Sequence, residues 1–436
     1  MSEPLTHRRV LAIAVPIVIS NATVPILGAV DTGVVGQLGA AAPIGAVGIG
    51  AIILTTLYWI FGFLRIGISG LTAQARGQRD QAEISALLMR GLLIAIAGGA
   101  LLCLLQVPIL NTTFLISPAS QEVESLARDY TSIRIFSAPA AISVFVFTGW
   151  LIAQERTKSV LVLQLVTNSV NIVLDIVFVL WLDFGVRGVA AATVIAETTG
   201  FALGLWLCRS AFQGGHWRNH SRIFDATRLR RMAIMNTDIL IRNLCIEITF
   251  LSFLFLAADF GDVTLAANQI LLQFLHVTAY ALDGFAFSAE SLVGFAVGAR
   301  TRDQLRQSVM LSSFWAGVTS VILAAGFLLL GGSIIDILTN AEAVRAETRI
   351  FLIWAVAAPI IGGPSWMLDG IFIGATRTAD MRNSMVISTI IYGVSTAILI
   401  SQFGNHGLWA GMHLFFIARA VTLGLRYSEL EKTADA

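Results

Sequence analysis

The chain has 436 residues, of which 56% are hydrophobic and only 13% are charged. Soluble globular domains carry about 25% charged residues, so this composition is too poor in charge to cover an aqueous surface. The low content of charged residues and the high content of hydrophobic ones indicate a polytopic membrane protein. Lys and Arg number 28 and Asp and Glu 27, and this balance excludes the basic footprint of a nucleic-acid-binding protein.

Twelve apolar segments follow one another along the chain. A helix that crosses the ~30 Å core of a bilayer needs roughly 20 apolar residues, and each segment has about this length. Helices are expected because every backbone polar group in lipid must be paired within its own segment. The predicted spans lie near residues 10–30, 45–73, 88–110, 130–152, 160–182, 188–208, 233–257, 265–297, 308–335, 350–373, 383–402 and 406–425.

Basic residues alternate between the loops in step with this count. Of the 28 Lys and Arg residues, 20 fall in the termini and loops that twelve spans place on one side, and four fall in loops on the other side. Because cytoplasmic loops carry an excess of Lys and Arg, both termini are predicted to lie in the cytoplasm.

The two halves of the chain repeat each other. The string FGVRGVAAA near residue 184 matches FGNHGLWAG near 403, and GWLIAQERT from 149 matches GIFIGATRT from 370. The offset is close to half the chain, so the pattern predicts a duplication of six spans, which is typical of transporters. We expect an amino-terminal lobe over 1–210, a cytoplasmic linker over 211–232 and a carboxy-terminal lobe over 233–436.

Asp31 stands out at the end of the first span, because an ionisable side chain within a span costs about 2.5–3.5 kcal/mol on insertion scales. Pro25 lies six residues before it and removes a backbone donor, which predicts a hinge in this helix. Asp31 is either a cap at the outer end of the span or a carboxyl inside a cavity. Arg65 and Arg134 lie in or beside spans of the same half and leave a structural ion pair as an alternative.

The fifth span favours a functional cluster of carboxyls. Asn168, Asn171 and Asp175 are spaced at i, i+3 and i+7 and share one helix face. The sixth span adds Thr193 and Glu197 at i and i+4. Hydrogen bonding between helices would explain a single Asn or Thr within a span. It explains less well why two carboxyls, those of Asp175 and Glu197, lie within the spans of the same half of the chain.

A polar stripe runs along the eighth span in the second half. Gln269, His276, Asp283 and Glu290 recur every seven residues, a period that keeps a helix face approximately aligned. The stripe is expected to line water or another helix. For Glu290, and for Asp238 in the seventh span, structural pairing and function are equally open.

Two further carboxyls of the second half are Glu247 in the seventh span and Asp369 in the tenth. Two prolines precede Asp369 and again suggest a bent helix. Arg242 is expected to neutralise Asp238, which lies four residues earlier on the same helix.

Signatures of catalysis and of metal binding are missing. No phosphate-cradling G-x-x-x-x-G-K-[ST] motif, nucleophile motif or set of metal ligands is present. His216 and His220 have no further ligand beside them and are interpreted as solvated loop residues. We expect neither an enzyme nor a bound metal or cofactor.

Four strings resemble one transporter family. PIVISNATVPILGAVDTGVVGQL resembles the first helix of multidrug and toxic compound extrusion (MATE) transporters, and in particular of their DinF branch. GLTAQARG from 70, YALDGFAFSAE from 280 and LDGIFIGATRTADMRNSM from 368 resemble the corresponding helices of that branch. The resemblance implies an all-α polytopic membrane protein with twelve transmembrane helices, arranged as two six-helix lobes in a V-shaped MATE-like architecture.

The resemblance also implies which residues couple transport to an ion. Members of the DinF branch use a first-helix Asp, a fifth-helix Asn-x-x-x-Asp and a sixth-helix Thr, and Asp31, Asn171, Asp175 and Thr193 match these positions.

Sodium-coupled relatives of the NorM branch use a seventh-helix Glu and a tenth-helix Asp, which Glu247 and Asp369 resemble. Those relatives carry a Tyr where Ser365 stands here, which argues against a sodium site in this lobe. Glu197, Glu247, Asp283 and Asp369 are secondary candidates.

The expected function is secondary active efflux of amphipathic organic cations in exchange for protons, with sodium as the alternative coupling ion. We expect a monomer that contacts membrane lipids in a bacterial-type inner membrane and binds no nucleic acid. A lipid-linked precursor flippase is the alternative, and it is disfavoured because acids rather than cations dominate the spans. An intramembrane enzyme is a second alternative. The sequence leaves the physiological substrate and the drug-binding lobe open.

Overall fold

The computed structural model describes residues 5–37, 40–116, 120–432 and 434. Within these residues, twelve helices are long and apolar enough to cross a membrane, which confirms the predicted number. We number them α1 to α12 in chain order: His7–Gly36, Ala41–Gly77, Gln81–Leu104, Gln121–Ala153, Thr157–Trp181, Gly185–Leu207, His220–Ala258, Asp262–Gly298, Arg302–Leu338, Glu342–Gly374, Thr378–Phe403 and Asn405–Lys432.

Several helices extend beyond the apolar stretch from which they were predicted. The basic segment around Arg230 is part of α7, whose continuous helix begins at Ala226 rather than near residue 233, after a short helix at His220–Ile223. The predicted third span is divided differently, because α3 ends at Leu104 and a separate helix, Gln106–Ile116, follows it. A long helix keeps its polar ends outside lipid, so hydropathy alone underestimates its length.

Irregular windings interrupt three of the first six helices. α2 contains a 3₁₀ turn at Ile60–Gly62, and α4 contains one at Ile135–Ser137. α5 is α-helical as far as Asp175 and then π-helical over Ile176–Trp181. By contrast, α8 to α12 are each a single α-helix, and α10 continues through its two prolines.

The duplication is visible in the backbone as well as in the sequence. Three residues of the first half with φ near +55° have a counterpart with the same φ exactly one repeat later in the chain, at a common offset of 221 residues. A positive φ is uncommon for any residue other than Gly, so the recurrence confirms the internal repeat. The pairs are Arg79 and Arg300, Glu155 and Thr376, and Asp183 and Gly404.

Backbone contacts divide the chain into two compact units. The carboxy-terminal unit holds residues up to Val18, Ala73–Arg79 and the chain from Arg230 onward, and the amino-terminal unit holds Ile19–Thr72 and Asp80–Leu229. α1 therefore contributes to both units. The lobe boundaries predicted at residues 210 and 233 stay a prediction.

Close helix contacts build the core of the amino-terminal unit. The indole nitrogen of Trp150, which is buried, donates to the backbone oxygen of Ile84 at 3.0 Å. α3 approaches α4 so closely that a Cβ on Gly99 would lie 2.4 Å from the backbone of Pro139. A larger side chain at Gly99 would therefore force these two helices apart.

A buried polar anchor fixes the core of the carboxy-terminal unit. The side-chain amides of Asn268 on α8 and Asn405 on α12 donate to each other at 2.7 and 3.0 Å. The indole nitrogen of Trp409 also donates to Asn268 Oδ1, at 2.8 Å. All three polar side chains are thus satisfied away from lipid, as burial of polar groups requires.

Candidate functional site

Asp31 lies near the end of α1 and is half-buried. Its Oδ1 atom is fully buried and accepts no hydrogen bond from the part of the chain that the structure describes. α1 is continuous across Pro25, whose side chain is exposed. The hinge role of Pro25 stays a prediction.

α5 presents Asn171 and Asp175 as a hydrogen-bonded pair. Both side chains are buried, and Asn171 Nδ2 donates to Asp175 Oδ2 at 2.9 Å, across the one turn that the i, i+4 spacing predicts. The other carboxyl oxygen of Asp175, Oδ1, is buried and has no hydrogen-bond partner among the described residues.

The carboxyls of Asp31 and Asp175 lie within hydrogen-bonding reach of each other. Among the residues that the structure describes, neither carboxyl forms an ion pair, and Arg134 acts electrostatically on both. Two ionised carboxylates can only accept hydrogen bonds, whereas a protonated one also donates. We call Asp31 and Asp175 the carboxyl pair.

A second hydrogen bond links α5 to α1. Asn168 Nδ2 donates to Thr23 Oγ1 at 3.0 Å, and Thr23 in turn donates to the backbone oxygen of Ser20 at 2.7 Å. Asn168 therefore ties the face of α5 that bears Asp175 to α1 at a point just before Pro25. The polar face predicted for the fifth span is a contact surface for the first.

The π-helical turn of α5 begins at the residue after Asp175. Single π turns inside α-helices are frequent at functional sites, because they change the hydrogen-bonding register of the backbone locally. No pattern in the apolar string IVFVLW signals this turn.

Glu197 on α6 is an ion-pair partner of Arg134 on α4, at 3.5 Å. Both side chains are largely buried, with 17% and 14% of their surface exposed. The sequence left open whether the acids of the first half form structural ion pairs or a functional cluster. Glu197 forms a structural ion pair with Arg134, whereas the two carboxyls of the carboxyl pair form no ion pair among the described residues.

Two tyrosines that the sequence did not single out surround Arg134. Arg134 donates to the hydroxyl of Tyr130 at 2.8 Å, and the hydroxyl of Tyr58 donates to the backbone oxygen of Arg134 at 3.2 Å. Ser137 donates to the same oxygen at 2.6 Å, inside the 3₁₀ turn of α4. The i, i+4 spacing of Tyr130 and Arg134 was the available signal for this contact.

Thr193 is buried on α6, and its hydroxyl donates to the backbone oxygen of Val189 at 3.0 Å. This donor is therefore already engaged, and the oxygen remains able to accept. The hydrogen bonds of the described residues join Asn171 to Asp175 but do not join Thr193 to them.

In the carboxy-terminal unit, Asp369 on α10 forms ion pairs with both Arg242 on α7 and Arg419 on α12. The expectation that Arg242 neutralises Asp238 is therefore wrong. Asp238 instead accepts from Arg382 at 2.6 Å and from Thr378 at 3.0 Å, both on α11. The expectation that acids outnumber cations in the spans also fails at Asp369, where two guanidinium groups meet one carboxylate.

Glu247 and Ser365 are the other two positions that were compared with the sodium site of the NorM branch. Glu247 is exposed and forms no ion pair within the described part of the chain, and Ser365 donates to the backbone oxygen of Gly362 at 2.8 Å. The guanidinium groups on Asp369 already occupy the positions that a coordinated cation would need. A coupling role for Glu247 and Asp369 stays a prediction.

The polar stripe of α8 changes environment along the helix. Gln269 and His276 are exposed, Asp283 is half-buried and Glu290 is fully buried. The stripe therefore runs from the surface into the core of its unit, and the role of Asp283 also stays a prediction.

Comparison with known proteins finds two matches to one protein family along the chain. The MatE family model matches residues 16–177 and 239–399, one match for each copy of the repeat. The chain is 36% identical over 420 residues to DNA damage-inducible protein F of Escherichia coli K12, covering 94% of this chain and 90% of that protein. It is 25% identical to the probable multidrug resistance protein NorM of Xanthomonas campestris, covering 97% and 94% of the two chains.

Solved structures show the same fold. A Vibrio cholerae MATE transporter, VcmN, in its bent form superposes with a TM-score of 0.86 at 19% identity, covering 98% of both chains. A MOP superfamily transporter from Pyrococcus furiosus superposes with a TM-score of 0.87 at 17% identity, covering 98% of this chain and 96% of that one.

Proposed function

This chain belongs to the MatE family of multidrug and toxic compound efflux transporters, and we propose that it is an antiporter that exports amphipathic organic cations in exchange for protons. Sodium is the alternative coupling ion. We place the protein, as a monomer, in a bacterial-type inner membrane with both termini in the cytoplasm.

The carboxyl pair is the observation that supports this mechanism. Asp31 and Asp175 adjoin each other within the membrane spans, and neither forms an ion pair with an arginine among the residues that the structure describes. Two negative charges this close repel each other strongly at the low dielectric of a membrane protein. A proton shared between the carboxyls, or an organic cation held by them, relieves this repulsion.

Competition for the carboxyl pair then gives exchange. A proton and a cationic drug neutralise the same charge, so the arrival of one favours the departure of the other. We propose that protonation from outside releases the drug, that Asn171 holds Asp175 through its hydrogen bond, and that α1 bends at Pro25 when its link to α5 changes. Thr193, whose hydroxyl oxygen remains able to accept, joins this network when a carboxyl becomes a donor on protonation.

The driving force is sufficient for useful export. A proton that returns down a potential of 100 mV supplies about 2.3 kcal/mol. A monovalent cation that leaves against this potential costs the same energy, so one-for-one exchange is driven by the pH gradient alone, and about 1.4 kcal/mol per pH unit supports roughly tenfold accumulation.

Transport of a fluorescent organic cation into proteoliposomes tests the proposal, with pH and sodium gradients imposed separately. We expect the pH gradient to drive transport and Asp31→Asn or Asp175→Asn to lower it at least tenfold. Asp129→Asn is the matched control, because it removes an exposed acid of α4 that pairs with Arg187 on the surface.

Unchanged pH-driven transport in Asp31→Asn would refute the role of the carboxyl pair. Transport driven by sodium alone would replace the proton by sodium as the coupling ion. Transfer of a lipid-linked precursor without any counter-ion would instead support the flippase.

A further inference from the structure

The cluster of Arg242, Asp369 and Arg419 carries an unbalanced positive charge inside the carboxy-terminal unit. The side chains of Arg242, Asp369 and Arg419 expose 13%, 7% and 4% of their surface. One carboxylate can neutralise only one of the two guanidinium groups. Among the described residues, Arg419 interacts electrostatically with Asp369 and Arg242 and with no further acid.

Two other clusters in the same unit also join two arginines to an acid. Glu431 pairs with Arg302 and Arg306, whereas Asp336 pairs with Arg345 and Arg349 and has a second acid beside it, Glu342, which pairs with Arg345. Both clusters include arginines that expose 39% or more of their surface and lie at helix ends, so water and dissolved ions screen the charges there. The buried cluster has much less access to solvent, because its most exposed member, Arg242, shows only 13% of its side-chain surface.

An uncompensated charge within a span is costly and marks a functional site by default. Placing even one arginine at the centre of a span costs about 2.5–3.5 kcal/mol on insertion scales. A structural ion pair between α10 and α12 needs only Arg419 and Asp369. The second cation, Arg242, therefore calls for a further negative partner.

Hydrogen-bond donors are also left over at this cluster. The Nε atoms of Arg242 and Arg419 are buried and have no hydrogen-bond partner in the part of the chain that the structure describes. An arginine carries five N–H donors in a planar fork that fits a carboxylate, and it has no acceptor. A buried N–H without a partner costs about 1–3 kcal/mol, which a bound acceptor would recover.

We propose that Arg242 and Arg419, with Asp369 between them, form a binding site for a monovalent anion. The chemistry that fits is a carboxylate group on an organic molecule or chloride from solution, because one negative charge completes the balance of the cluster. The exposed part of the Arg242 side chain is the side from which the anion arrives. This inference does not depend on proton coupling at the carboxyl pair, since binding alone is measured.

Equilibrium binding of radiolabelled benzoate tests the site, with purified full-length protein in nanodiscs of zwitterionic lipid and gluconate as the background anion. We expect saturable binding of about one benzoate per chain. Arg242→Gln should weaken binding at least tenfold. Arg349→Gln should leave it unchanged, because this matched control removes one arginine from the exposed cluster at Asp336.

A second variant changes binding in the opposite direction. Asp369→Asn removes the competing carboxylate and leaves both guanidinium groups, so it should bind benzoate severalfold more tightly than the wild type. A purely structural cluster predicts no binding in any variant and a loss of stability in both. This comparison keeps the test valid even if one of the two variants does not fold.

Competition with chloride, and direct binding of labelled chloride, show whether the site takes an inorganic anion or an organic carboxylate. Displacement of benzoate by chloride would support a site that also takes the inorganic ion, and failure of chloride to displace it would support a site for organic carboxylates. Absence of saturable binding of either benzoate or chloride would overturn the proposal. Equal binding in the wild type and Arg242→Gln would overturn it as well.

Discussion

Removal of one partner from the Arg134–Glu197 ion pair should destabilise the protein and weaken cation binding. The variant Glu197→Gln leaves the guanidinium of Arg134 with the hydroxyl of Tyr130 as its neutral hydrogen-bond partner. The wild-type pair is separated by 3.5 Å, which corresponds to about 5 kcal/mol of attraction at an effective dielectric constant of ~20.

The net loss should be smaller than this Coulomb energy. Breaking a buried pair costs about 3–5 kcal/mol, and both side chains here keep a small exposed fraction that lets water screen the charge. We therefore expect Glu197→Gln to lower the free energy of unfolding by about 2–3 kcal/mol. The double variant Arg134→Gln/Glu197→Gln should recover most of this loss, because no uncompensated charge remains.

A functional effect should accompany the loss of stability. Arg134 acts electrostatically on both Asp31 and Asp175, and Glu197 compensates its charge in the wild type. Without that compensation, Arg134 competes with a transported cation for the carboxyl pair. The apparent affinity for the cation should fall at least tenfold in Glu197→Gln and return in the double variant.

The free energy of unfolding is measured in mixed micelles to which a denaturing detergent is added stepwise, with tryptophan fluorescence as the readout. Uptake of the cation into proteoliposomes measures its apparent affinity. Glu124→Gln is a matched control, because Glu124 pairs with Arg128 on exposed turns of α4 and should contribute less than about 0.5 kcal/mol. A double variant as unstable as the single one would refute the reasoning.

Two predictions concern packing. Asn268→Leu should lower the free energy of unfolding by about 2–4 kcal/mol in the same denaturation assay, because it leaves the indole of Trp409 and the side-chain amide of Asn405 without their partner. An effect below about 1 kcal/mol would contradict the role of this anchor. Gly99→Ala should destabilise the protein through its contact with Pro139, whereas Gly48→Ala, with open space around it, should not; equal stability of both variants would argue against the close approach.

The membrane spans and the duplication were predictable from the sequence because both depend on local composition. The lengths of the apolar segments determine the number of membrane-spanning helices. The matched strings GWLIAQERT and GIFIGATRT are offset by 221 residues, and the same offset separates Glu155 from Thr376, which share a backbone φ of +55°. Helix ends were less predictable, since the basic start of α7 remains helical outside the apolar stretch.

The side-chain partners were predictable only where they lie one turn apart. The bond from Asn171 to Asp175 follows from an i, i+4 spacing on α5. The same rule failed for Arg242, because its carboxylate, Asp369, comes from another helix and from 127 residues further along the chain. Contacts of this kind depend on how helices pack, which periodicity within one helix does not encode.

The irregular turns of α2, α4 and α5 have a mechanical consequence. Gene duplication gave both halves of the chain one plan, but among the described spans the 3₁₀ and π windings occur in α2, α4 and α5 of the first copy, while α8 to α12 are α-helical throughout. A 3₁₀ turn is tighter than an α-helical turn and a π turn is wider, so each changes the local length and twist of a helix, and such stretches often mark hinges. The two copies of the six-helix module have therefore diverged in backbone winding, and the first copy has more places at which a span can change its direction.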